Sequence, residues 1–156
     1  MDKNRLIPPL VQALQCDIWA QRLGEIADEA SAAFACDEVR HLRALYALIN
    51  ADSRGCTMAG LTVYDPTVIE SLFIAGACDS AALALLGGSS GYMISRGSTG
   101  EFMATVVLPG YAEEQTGSGD SLALALVSAI ALALGVGADS GFRQNRAAAG
   151  NAAKLN

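Results

Sequence analysis

The chain is poor in the residues that do chemistry on a substrate. Histidine occurs once, at His41, and lysine only at Lys3 and Lys154. A catalytic site must bring together a nucleophile, a base and an electrophilic stabiliser, and so little of this material leaves few ways to build one. Aromatic residues are 6% of the sequence while apolar residues are 52%, so a core must be made mainly of Ala, Leu, Val and Ile, which favour close helix packing. Basic residues do not cluster and the formal net charge is −6. That argues against nucleic acid as a direct partner, because phosphate binding needs a concentrated basic surface.

Metal and redox spacings are also missing. Cys16, Cys36, Cys56 and Cys78 lie far apart with no C-x-x-C pair, and one histidine adds little, so no metal or cofactor is expected. The four read as reduced, buried, small hydrophobes, with two disulfides as the alternative for an exported protein. Glu38 and His41 have the Glu-x-x-His spacing of di-iron bundles, but a second pair is lacking, so His41 reads as an exposed or interfacial side chain. The opening "MDKNRLIPPLVQALQ" has no basic start, long apolar middle or small-residue cleavage site, and a cytoplasmic address is expected.

A chain of 156 residues fits one compact unit. Leu10, Leu14, Ile18, Leu23, Ile26 and Ala30 recur at helical intervals after Pro9, and Val39, Leu42, Leu45, Tyr46 and Ile49 form a second stripe. The acids Asp17, Glu25, Asp28, Glu29, Asp37 and Glu38 read as solvated helix faces. "ADSRGCTMAG" is the candidate internal boundary, and "LTVY" after it a possible strand. Asp65-Pro66 is a helix start, with a capping carboxylate followed by proline at the first position. Asp79 reads as the cap of a further short helix ended by Gly87-Gly88. "YMISR" and "EFMATVVL" flank "GSTG" as a hairpin; with Ser98 and Thr99 at the loop centre, Arg96 faces Glu101, Ile94 faces Met103 and Tyr92 faces Thr105. Met93, Ser95, Phe102, Ala104 and Val106 then share the other face.

Gly119-Asp120-Ser121-Leu122 spells the motif of a family of serine esterases. Such an enzyme needs its serine directly after a strand and an Asp-x-x-His segment late in the chain. The letters here read instead as a helix start, with Asp120 or Ser118 as cap and Ser121 in the first turn. The run from Ser121 to Ala138 has no charge and nearly the length of a membrane span. Its many alanines, and the lack of an aromatic belt, favour a buried helix over a lipid-embedded one.

The order "CDSAALALL", glycine break, "GYMISRGSTGEFMATVVLPG", acidic "YAEEQTGSGDS", then "LALALVSAIALAL" resembles the phage ABA sandwich family over about Tyr64 to Gly135. The hairpin opens with Tyr92 rather than tryptophan, and the N-terminal helices have no counterpart. The resemblance implies a small layered domain encoded by a phage or prophage, of no assigned activity, and supplies no functional residues.

The expected fold is α+β and mostly helical. A helical region spans 1–50, a layered region 58–138 with its hairpin at 92–108 and a candidate third strand at 61–64, and a flexible tail 141–156. The expected function is non-enzymatic: binding a protein partner or a second copy, with Trp19, Arg43 and Tyr46 as interface candidates. The alternatives are a membrane anchor through 121–138 and a hydrolase using Ser121.

Overall fold

The structure is a computed structural model that describes residues 9–51, 61, 65–111 and 113–152. It is an α+β, mostly helical fold with one three-stranded antiparallel sheet. Helix α1 (Pro9–Ala32) starts at the proline, where a missing N–H costs nothing. Its apolar residues divide between two sides. Trp19, Leu23, Ile26, Ala27 and Ala30 are buried, whereas Leu14 and Ile18 stand in solvent. A 3-10 turn, Ala35–Asp37, leads into α2 (Glu38–Ala51), which buries His41, Leu42, Leu45 and Ile49 along one face.

Helix α3 (Pro66–Ile74) begins as the sequence indicates: Asp65 accepts from the Thr67 N–H at 2.8 Å, and Pro66 is the first helical residue. Helix α4 (Cys78–Leu86) starts one residue before Asp79. Its cap position is Ala77, and Asp79 instead lies in the first turn, where its charge suits the helix dipole. The candidate boundary at 52–60 and most of "LTVY" fall outside the described residues; Leu61 is not in a strand.

The hairpin is β1 (Gly91–Arg96) and β2 (Phe102–Val107), shifted by one from the expected register. Arg96 faces Phe102, Ile94 faces Ala104 and Tyr92 faces Val106. The cause is Gly100, whose φ of 91° adds a left-handed residue to the turn. Gly97 donates to the Glu101 carbonyl at 2.8 Å, and Gly100 to Gly97 at 3.0 Å. One residue of shift moves side chains to opposite faces, so Phe102, Ala104 and Val106 share a side with Ile94, and Met93 and Ser95 with Met103. The third strand of the sheet is β3 (Gln115–Gly119), the stretch read as a polar connection, paired antiparallel to β2.

Helix α5 (Leu122–Ala152) is the centre of the molecule. Leu124, Leu126, Ile130 and Leu134 and the alanines between them are buried, enclosed by α1, α2, α4 and the sheet. Ala35, just past α1, bonds to Asp120, just before α5, and Leu23 faces Gly135 midway, so α1 and α5 run antiparallel. The tail expected to be flexible from 141 is helical to Ala152, which accords with its alanines, the strongest helix formers. Among the described residues no helix is long and apolar enough to cross a membrane.

The sheet approaches α5 closely because β3 has no side chains there. A Cβ at Gly117 would lie 2.4 Å from the Ala129 nitrogen and 2.8 Å from the Ala125 carbonyl oxygen; one at Gly119 would lie 2.7 Å from the Ala125 nitrogen. Backbone rests on backbone, and small residues on both elements make that possible.

Candidate functional site

Ser121 does follow a strand, β3, with only Asp120 between them, contrary to the reading of that stretch as a loop, and it is the N-cap of α5. Its Oγ accepts from the Leu124 N–H at 3.3 Å and its carbonyl from Ala125 at 3.0 Å, and the residue is only 9% exposed. The expected caps do other work. Ser118 lies within β3, and Asp120 Oδ2 accepts from the Ala35 N–H at 2.9 Å, tying the end of α1 to the head of α5. A buried hydroxyl bound to its own helix is poorly placed to attack a carbonyl carbon.

His41 is not exposed or interfacial but 1% exposed, between α2 and its neighbours. Its Nε2 lies 3.3 Å from Arg40 Nη2. A guanidinium only donates, so that nitrogen accepts and the ring is neutral. Burial pushes the His41 pKa down, and the Arg40 charge adds to this; Glu29 and Asp37 pull it back up, and Arg22 opposes them. The histidine is a satisfied core residue with its acceptor already engaged.

The cysteines are not four equivalent thiols. Cys16 is disulfide-bonded, Cys36 is a free exposed thiol and Cys78 a free buried one. Linear spacing carries no information on which sulfurs the fold brings together. Burial pushes the Cys78 thiol up to about 11, aided by its hydrogen bond to Glu38, so it is protonated and unreactive at neutral pH. Among the described residues no group of three or more His, Cys, Asp or Glu could hold a metal ion.

Trp19, Arg43 and Tyr46 do not form one surface. Trp19 is buried and donates from Nε1 to the Leu48 carbonyl at 3.0 Å, joining α1 to α2. Arg43 grips Glu70 through both ends of its guanidinium and lies 5.3 Å over the Phe73 ring, joining α2 to α3. Tyr46 is half-buried against the core. Trp19 is an internal tie between helices and Arg43 an exposed one, a service that aromatic and arginine side chains perform as readily as they serve interfaces.

Two other features are open to a partner. An open cleft of about 490 Å³ lies at the turn end of the sheet, bounded by Ser31, Arg96, Glu101, Phe102 and Asp120. The Arg96 guanidinium stacks 5.1 Å over Phe102 and its Nε donates to the Gly100 carbonyl at 3.5 Å. One guanidinium and two carboxylates can hold a polar group, but the cleft lining contains no thiol or imidazole to activate one. The second feature is apolar. Val11, Leu14 and Ile18 on α1 are 42%, 61% and 60% exposed, and on the outer face of the sheet Met93 and Met103 flank the Thr105–Thr116 hydroxyl pair. Periodicity located Leu14 and Ile18 but merged them with the core stripe, and it did not single out Val11. Positions 11, 14 and 18 lie on one side of the helix; 19, 23, 26 and 30 lie on the other. Compared with family models, curated proteins and solved structures, the chain matches none.

Proposed function

We propose that the protein is a non-enzymatic association module, acting by contact with another protein and in the first instance with a second copy of itself. One observation carries this reading: aliphatic residues of α1 face solvent on a side of the helix that the core does not use. Single exposed apolar residues are ordinary, but three in register along one helix are a contact surface. The occupation of Ser121 as a cap and of His41 as a core acceptor weighs against hydrolysis, and the enclosure of α5 weighs against a membrane anchor. The resemblance to the phage ABA sandwich family suggests a phage or prophage origin.

The test is the light-scattering mass of the full chain on a sizing column without detergent, across a wide range of loading concentration. A mass that rises to a defined multiple of one chain supports association. The mass of one chain at every concentration removes self-association, and recovery only with membranes removes the reading altogether. Ester turnover by the wild type that disappears in Ser121→Ala would establish the hydrolase in its place.

A further inference from the structure

The sheet has an open edge at β1, which pairs with β2 on one side and, among the described residues, with no strand on the other. In an antiparallel ladder, residues bonded to the neighbouring strand alternate with residues whose N–H and C=O point away from it. The Gly97 N–H bonds to the Glu101 carbonyl, so, counting back along the register, Ser95, Met93 and Gly91 face β2. The N–H and C=O groups of Tyr92, Ile94 and Arg96 therefore point out along the open edge. Edge strands are ordinarily guarded by proline, lysine, a bulge or a covering element. Gly91–Arg96 contains no proline or lysine, its register runs unbroken, and its one charge is at the end. The side chains of Tyr92, Ile94 and Arg96 share the side of Ala104 and Val106, where α5 packs, yet α5 lies on β2 and β3, and Tyr92 is left 53% exposed. The strand projects past the helix layer that covers the rest of the sheet.

This edge is complementary to itself in one register. Two copies of β1 laid antiparallel with Ile94 opposite Ile94 set Tyr92 of each opposite Arg96 of the other. The outward groups of all three residues then find partners. Each Arg96 guanidinium, already 5.1 Å over its own Phe102 ring, gains the Tyr92 ring of the other copy on its far side. Centring the pair on Met93 sets Arg96 opposite Ser90, and centring it on Ser95 sets Tyr92 opposite Ser98, in both cases outside the strand. An in-register parallel pairing brings two Arg96 charges side by side. We propose that β1 is the site of an antiparallel homodimer in which two three-stranded sheets join edge to edge; the inference rests on the association reading and assigns the self-contact to the sheet edge, apart from the α1 face. An extended strand is the partner that main-chain groups at this spacing recognise, and an isologous pairing closes at two copies with both edges used. A strand of six residues is about 20 Å long. A contact of that length lies at the weak end of specific interfaces, so the dimer is concentration-dependent.

The experiment uses the full chain and measures sedimentation equilibrium over a broad concentration range, for the wild type, Ile94→Pro and Leu14→Glu. Proline at 94 removes an outward N–H that β2 does not use, and edge strands accept proline on that side; far-UV circular dichroism checks that each variant keeps its fold. The wild type is expected to approach twice the chain mass, and Ile94→Pro to associate at least about tenfold more weakly. A wild-type dimer that Ile94→Pro does not weaken overturns the edge but leaves self-association standing, and its weakening by Leu14→Glu gives the contact to the α1 face instead. A wild type that never exceeds one chain overturns both. Register is read by mild oxidation in a Cys36→Ser background, in chains that keep Ile94. Met93 and Ser95 are exposed and oppose each other across the proposed pair at the closer, non-bonded position. A mixture of Met93→Cys and Ser95→Cys is therefore expected to cross-link as the mixed pair, whereas either variant cross-linking only to itself overturns the register centred on Ile94.

Discussion

Gly117→Ala adds one methyl group at the place where β3 lies on α5. Nothing in the glycine's own backbone angles forbids alanine, because its φ is outside the left-handed region. The obstacle is contact alone. The new carbon would sit 2.4 Å from the Ala129 nitrogen and 2.8 Å from both the Ala125 oxygen and the Ser128 Cβ, and two of these atoms are helix backbone that cannot rotate aside. Reaching an ordinary separation requires the strand to lift by roughly 1 Å, and a gap of that size forfeits a quarter to a half of each dispersion contact along the line. Overpacking that side chains can absorb costs 1–3 kcal/mol, so a clash with backbone on both sides belongs at the top, about 3 kcal/mol. For a chain of this size that lowers Tm by roughly 6–12 °C. The assay is urea denaturation followed by circular dichroism, reading the midpoint at unchanged m-value. Gly24→Ala is the control with the opposite sign. That glycine is in α1 with nothing within 4 Å, so alanine gains about 0.5–1 kcal/mol from helix propensity. A Gly117→Ala protein within about 0.5 kcal/mol of wild type would refute the close packing of β3 on α5.

Two further outcomes follow from buried groups. His41 has its pKa lowered by burial and Arg40, so below the unfolded value of about 6.5 the unfolded chain binds a proton that the folded chain does not. Its contribution to stability is complete above that pH and is lost as pH falls toward the lowered folded pKa, with a slope of up to about 1.4 kcal/mol per pH unit. Urea midpoints for wild type and His41→Gln between pH 7 and about 5 should converge as acid is added; a constant gap refutes the buried neutral histidine. Alkylation of the native protein should modify Cys36 rapidly and Cys78 only on unfolding, with Cys16 reactive only after reduction, as read by peptide mass spectrometry. Rapid native labelling of Cys78 would contradict both its burial and its thiol held up at about 11.

What the sequence made legible was local, and what it concealed depended on partners distant in the chain. Asp65-Pro66 specifies a helix start within three residues, and the structure has that cap. The two hairpin strands are legible from their own residues, but their register turned on whether Gly100 belongs to the loop, and a left-handed residue there moved every pair by one. The α1 periodicity announced a helix without saying which side is core, because that is decided by where α2 and α5 lie. The candidate surface was lost in the same step: Leu14 and Ile18 were read as one stripe with the buried residues, and Val11 was not singled out. Arginine and tryptophan were legible as unusual residues, but Arg43 and Trp19 tie helices to each other, and no local pattern distinguishes such a tie from an interface.

The least legible element explains the most puzzling one. "QTGSG" has a single β-branched residue, Thr116, and no alternation of apolar side chains, and glycines are poor strand formers. Its glycines alternate all the same, at 117 and 119 on one face, and they are there because α5 needs the room. The uncharged run of α5 answers it with Leu124, Ala125, Ser128 and Ala129 on the side the strand covers, while α1, α2 and α4 pack around the rest of the helix. A helix covered on every side has no polar face to show, so it reads like a membrane segment. The glycine-rich strand and the charge-free helix are therefore two halves of one packing arrangement, and a charge introduced at Ala125 or Ala129 should disrupt the sheet and the helix together.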